Sequence, residues 1–139
     1  MSYLTANDLK TFLDEREIAT IKRDYEADGV DKIPVGIAYA ENYVQDRLAN
    51  RYDMELEYTK TGTARNSTLL EILAHIAIWK LTSTFPTVQL DGKRHYFYEE
   101  ALKNLTLAEK GNLLTSLPIK NNDGKAVIWG YVQGSETIY

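Results

Sequence analysis

The stretch STLLEILAHIAIWKLTSTF at positions 67–85 leaves this chain few ways to fold. Wound at about 100° per residue, Leu70, Ile72, Leu73, Ala74, Ile76, Ala77, Trp79 and Leu81 cover well over half of a helix circumference. The polar remainder is a strip of Glu71, His75 and Thr82. A helix apolar on most sides is a central one, contacted by several neighbours. Ser67 reads as its N-cap, Glu71 follows within the first turns, and Pro86 stops it. At ~1.5 Å per residue it runs about 30 Å, the width of a small domain. Glu71, His75 and Lys80 interrupt the apolar run, so it is not a membrane span. Lys80 falls near the middle of the apolar face, where it either snorkels past the helix end or meets a partner.

The segments around this helix read as its partners. Thr5 and Asp8 form a capping-box variant opening a short helix, with Leu9, Phe12 and Leu13 on one side. Asp14 caps a second, in which Ile18, Ile21 and Tyr25 recur at helical spacing before Asp28 and Gly29 end it. Pro34 suits the first turn of a third helix running to Tyr52. Its core face is Ile37, Ala40, Val44, Leu48 and Tyr52; Tyr39, Tyr43, Asp46 and Asn50 lie opposite. Two tyrosines on a polar face call for either a covering loop or a partner. Residues 53–66 break the pattern and read as a long loop, of the kind that is functional or mobile in a compact domain. Residues 86–92 read as another loop.

A fifth helix runs from Lys93 to Lys110, with Gly111 as its terminator. Phe97, Tyr98, Ala101, Leu102, Leu105 and Ala108 make its inner face. After Leu113 the character changes. Asn122-Asp123-Gly124 is a turn signal, and residues 125–132 carry the β-branched and aromatic bias of a strand. That strand has no evident mate in its own chain. The expected fold is therefore all-α: a small bundle of about five helices around the central helix 67–85, with a C-terminal extended arm or short β-hairpin.

Composition narrows the chemistry. The chain has 139 residues, 44% of them apolar, enough for one domain with a real core. It has no cysteine, which removes disulfides, thiolate metal sites and cysteine nucleophiles. The N-terminus lacks the basic-then-apolar pattern of a signal peptide, so a cytosolic site of synthesis is expected and the N-x-T sequons at Asn66 and Asn104 read as chance. A net charge of −4 argues against a general nucleic-acid binder. Ten tyrosines are many for this length, and tyrosine is favoured at surfaces that are part apolar and part wet.

Catalytic constellations are missing. Glu71 and His75, four apart on one helical face, offer two ligands to a divalent ion, and no third is apparent. There is no G-x-S-x-G turn, no P-loop and no dinucleotide fingerprint. Glu99 and Glu100 sit about 100° apart on a helix and read as a solvated edge. No catalytic residue, cofactor or metal is expected, and no enzyme. For DNA contact the candidates are Arg47 and Arg51 with Lys22 and Arg23. The two arginines lie at the end of the third helix, where they complement its dipole.

The order of these pieces resembles a family. Tyr3-Leu4-Thr5 with Asp8-Leu9, then residues 44–52 (VQDRLANRY), Leu73 and Ile76-Ala77, and residues 98–105 (YEEALKNL) with Gly111 after them are similar to the small all-α head–tail connector (adaptor, or head-completion) proteins of tailed bacteriophages, of the Mu-like type. The resemblance covers residues 3 to 118. It implies a helical connector domain over 1–118 and an extended arm over 119–139. It further implies a virion protein, made in the host cytoplasm, that forms a ring, typically a dodecamer, beneath the portal protein. Such a ring carries a tail-side connector or stopper protein and lets DNA pass without sequence-specific binding; no membrane is involved. The expected sticky faces are the Tyr39/Tyr43 side, the 53–66 loop and the arm, where Trp129, Tyr131 and Tyr139 would be anchors. The chain departs from the family pattern in lacking prolines after the third helix and in placing Lys80 where an apolar residue is expected. The alternative reading is a small helical DNA-associated regulatory module of non-viral role, using the four basic residues above.

Overall fold

The computed structural model describes residues 2–13, 16, 17, 19, 32–84 and 93–120. Among them lie five α-helices: α1 (Ala6–Leu9), α2 (Ile33–Leu48), α3 (Met54–Glu57), α4 (Ser67–Thr84) and α5 (Lys93–Glu109). A 3-10 turn, Gly62–Ala64, precedes α4. The all-α bundle is thus as the periodicity predicts. The second short helix with Ile18, Ile21 and Tyr25, the loop at 86–92 and the strand at 125–132 lie outside the described residues.

The central helix earns its position through burial. Leu69, Ile72, Leu73, Ile76, Ile78 and Leu81 are all within 1% of complete burial. Each such side chain contributes about 1.5–3 kcal/mol of hydrophobic stabilisation. α2 and α5 both pack on α4 and touch each other, and α1 leans on α2 and α4. α2 comes close to α4 at Gly36: a Cβ there would sit 2.9 Å from Leu81 Cγ and 3.3 Å from the Ala77 carbonyl oxygen. Only a glycine lets the two helix backbones approach so far without displacing Leu81.

The helix ends have local causes. Thr5 and Asp8 form the expected capping box on α1, the Thr5 hydroxyl accepting from the Asp8 N–H and the Asp8 carboxylate from the Thr5 N–H. α4 is capped one residue earlier than Ser67 predicts. The Asn66 carboxamide accepts from the Leu69 N–H at 2.9 Å, so Ser67 is the first helical residue. α5 ends in a Schellman motif: Gly111 (φ 90°) donates to the Ala108 carbonyl and Asn112 to that of Leu107.

Two expectations are corrected. The third helix of the sequence reading stops at Leu48 rather than Tyr52, because the next residues pair with the C-terminal segment. Asp53 N–H donates to the Pro118 carbonyl at 2.8 Å and Lys120 N–H to that of Arg51 at 2.9 Å, around an antiparallel bridge of Tyr52 and Ile119. Tyr52 stays in the core all the same, its hydroxyl donating to the Ala108 carbonyl. The 53–66 stretch is not a plain loop either. The Asp53 carboxylate accepts from the Leu56 N–H, caps α3, and lets Met54 and Glu57 turn inward.

Candidate functional site

The described tyrosines of the predicted surface, Tyr39 and Tyr43, lie one helical turn apart on α2, their ring centroids 6.0 Å apart. Among the described residues, side chains from helices approach them. Lys80 of α4 holds its ammonium 4.7 Å from the Tyr39 ring centroid, a cation–π contact. The lysine read on the apolar face thus carries its ammonium over an aromatic ring of the neighbouring helix. The Arg47 guanidinium donates to the Tyr43 hydroxyl at 3.2 Å. Across the gap, Tyr98 of α5 stacks on Trp79 at 5.0 Å, and Trp79 also meets His95. Burial, then the nearby phenols of Tyr43 and Tyr39, push the Tyr98 pKa up. The result is a half-buried aromatic seam between α2 and α5, with α4 as its floor. Trp129, Tyr131 and Tyr139 lie outside the described residues.

Below the seam α2 and α5 are clamped together. Arg47 makes a bidentate pair with Glu109, both contacts at 2.7 Å, and Arg51 Nε donates to the Glu109 carbonyl. The Arg47 hydrogen bond holds the Glu109 carboxyl below the usual carboxylate range. The arginines considered for DNA contact are therefore engaged within the fold; Lys22 and Arg23 lie outside the described residues.

On the other flank of α2 is a polar network that no local pattern in the sequence announces. The Tyr3 hydroxyl donates to Glu57, which is 1% exposed, and accepts from the Asn66 N–H at 2.7 Å. Lys60 Nζ is 2.9 Å from the other Glu57 oxygen, an ion pair not aligned as a hydrogen bond. The Leu4 N–H donates to the Glu41 carboxylate, and the Tyr58 hydroxyl to the Glu41 carbonyl. Arg65 donates to both Asp8 oxygens and to the Tyr3 carbonyl. Burial alone would raise the Asp8 pKa, but the bonds from Arg65 and Thr5 outweigh it and hold it low. These contacts pin the first residues of the chain to α2, α3 and the 61–66 turn. Likewise Glu17 pairs with Arg94 at 2.8 Å, tying residues 16–17 to the start of α5.

His75 corrects the expected polar strip. It is 8% exposed, stacked on Phe97 and edge-on to Phe12, with Nδ1 buried and unbonded. Glu71 is exposed, its carboxylate 3.9 Å from His75 Nε2. Glu100 and Asn104 of α5 line the same small cleft. Among the described residues no three ligating side chains come together in a metal-binding arrangement. Burial, and after it the charge of Arg94, lower the His75 pKa below its ordinary value of 6.5, with Glu71 opposing. A depressed histidine keeps its stabilising effect above the unfolded pKa and loses it as pH falls through the folded one. Stability to urea is thus expected to drop as pH falls below about 6.5. His75→Phe should flatten that slope; an unchanged slope would mean another group sets it.

Several aliphatic side chains stay outside: Leu56 on α3, Leu107 on α5, and Leu113 and Ile119 beyond it. Leu113 has φ 71° and sits at the centre of a tight turn in which Leu114 N–H donates to the Asn112 carbonyl at 2.7 Å. A leucine in that conformation is strained, and here it is also half exposed.

Among the described residues, the packing of this small helical bundle leaves several aromatic and aliphatic side chains exposed. A family model described as "Bacteriophage Mu, Gp36" matches residues 3–127, and the chain belongs to that family. Searches of curated proteins and of solved structures gave no significant match. No helix among the described residues is long and apolar enough to cross a membrane.

Proposed function

We propose that this chain is a structural subunit of a Mu-like phage particle, a head–tail connector that assembles as a ring under the portal and joins the DNA-filled head to the tail. The observation that carries the reading is the family match across residues 3–127, which takes in almost the whole chain. It is supported by a surface with two different sticky flanks, the aromatic seam and the α3 side, since a ring closes through unlike faces. A net charge of −4 suits a channel that DNA must leave freely. The work is binding and needs no catalytic group. The C-terminal arm, 119–139, reaches the portal with Trp129, Tyr131 and Tyr139 as anchors.

Mixing the purified chain with its portal tests this by light scattering and negative-stain microscopy. Many copies bound per portal ring are expected. Removal of the residues after Ile119 should leave the helical circular-dichroism signal and abolish attachment. A full-length chain that stays monomeric at high concentration and ignores the portal contradicts the reading. A truncated chain that still attaches contradicts the role of the arm.

A further inference from the structure

A ring subunit needs a donor face and a different acceptor face, and two described surfaces of this chain pair apolar with aromatic side chains and negative with positive charge. The acceptor is the seam of Tyr39, Tyr43, Trp79 and Tyr98, with the Lys80 ammonium over Tyr39. Tyr39 is 39% exposed, and the other three are partly buried. The donor is α3. Leu56 stands 51% exposed there, with Glu55 exposed beside it and Asp53 just before. The Asp53 cap on the Leu56 N–H fixes the direction of this acidic knob. Knob and seam lie on opposite flanks of α2. Tyr58, at the end of α3, reaches the Glu41 carbonyl, and Glu41 is two residues, about 200°, round the helix from both Tyr39 and Tyr43. A subunit's knob therefore lies on the flank away from its own seam.

We infer that, within the connector ring, Leu56 of one copy docks on the Tyr39–Tyr98 seam of the next, with the Glu55 and Asp53 carboxylates facing Lys80. The occupant is a second copy of this chain, and the inference rests on the connector reading. The aromatic walls receive the leucine, and the carboxylates meet the ammonium, so both the apolar and the charged parts are complementary.

The absence of cysteine allows a direct test. In assembled rings, the oxidised Tyr39→Cys/Leu56→Cys double variant should give a ladder of dimers, trimers and higher species on a non-reducing gel. An equimolar mixture of the two single variants should stop at dimers. Glu55→Lys, on an exposed residue, should raise the concentration for half-assembly about tenfold. Rings that form with neither cross-links nor any effect of Glu55→Lys overturn this interface and leave the connector reading standing. Cross-links in Leu56→Cys alone mean a two-fold contact and also overturn it. A wild-type chain that does not assemble even with the portal removes both.

Discussion

Tyr3→Phe is expected to destabilise the fold by about 3 kcal/mol, although it removes one oxygen from the third residue of the chain. The hydroxyl has two jobs in a buried place: it donates to the Glu57 carboxylate and accepts from the Asn66 N–H. Phenylalanine keeps the ring, which meets Tyr58 at 5.2 Å, so the change isolates the polar part. Afterwards a buried carboxylate oxygen and a backbone N–H are both left without this partner. Unsatisfied buried groups cost about 1–3 kcal/mol each, and more when charged. Small domains carry only about 5–15 kcal/mol in all, so the loss should move the urea midpoint clearly. A change under about 1 kcal/mol would mean that water replaces the hydroxyl. Burial, then the bond to Glu57, pushes the Tyr3 pKa well above the ordinary tyrosine value, so the phenol stays protonated over the working range.

The second large effect is expected at Gly36. Valine there should cost about 3 kcal/mol, the upper part of the usual range for overpacking a tight core. The first added carbon already lies 2.9 Å from Leu81 Cγ and 3.0 Å from Cδ2, and the Ala77 carbonyl behind them belongs to the α4 backbone. Alanine should cost less, since the better helix propensity returns about 1 kcal/mol. The clash is with one side chain, so Leu81→Ala should recover part of the Gly36→Val loss in a double-mutant cycle. Strictly additive losses would place the damage in the backbone contact with Ala77 instead.

What the sequence disclosed follows a physical line. Long periodic segments were legible: α2, α4 and α5 each bury the face that their spacing marks, and the Thr5–Asp8 cap and the Gly111 stop are local signals read correctly. α3 is not legible because four residues hold too little periodicity, and its capping signal, Asp53 before Met54, is common in loops. His75 reads as part of a wet strip because Glu71 shares its face; Phe12 and Phe97, from distant segments, bury it. The Tyr3, Glu41, Glu57 and Arg65 network joins positions more than thirty residues apart, a distance at which no spacing rule operates. Of the candidate surface, Tyr39 and Tyr43 were visible as aromatics on a polar face. Their seam with Lys80, Trp79 and Tyr98 needed three helices to be set side by side.

Cryo-electron microscopy of the intact phage would show directly where this chain sits in the particle. A connector should appear as a ring of copies of this chain between portal and tail, its helical bundle recognisable from α2, α4 and α5 packed side by side. Density at that position belonging wholly to other proteins, with this chain elsewhere in the particle or missing from it, would contradict the connector role.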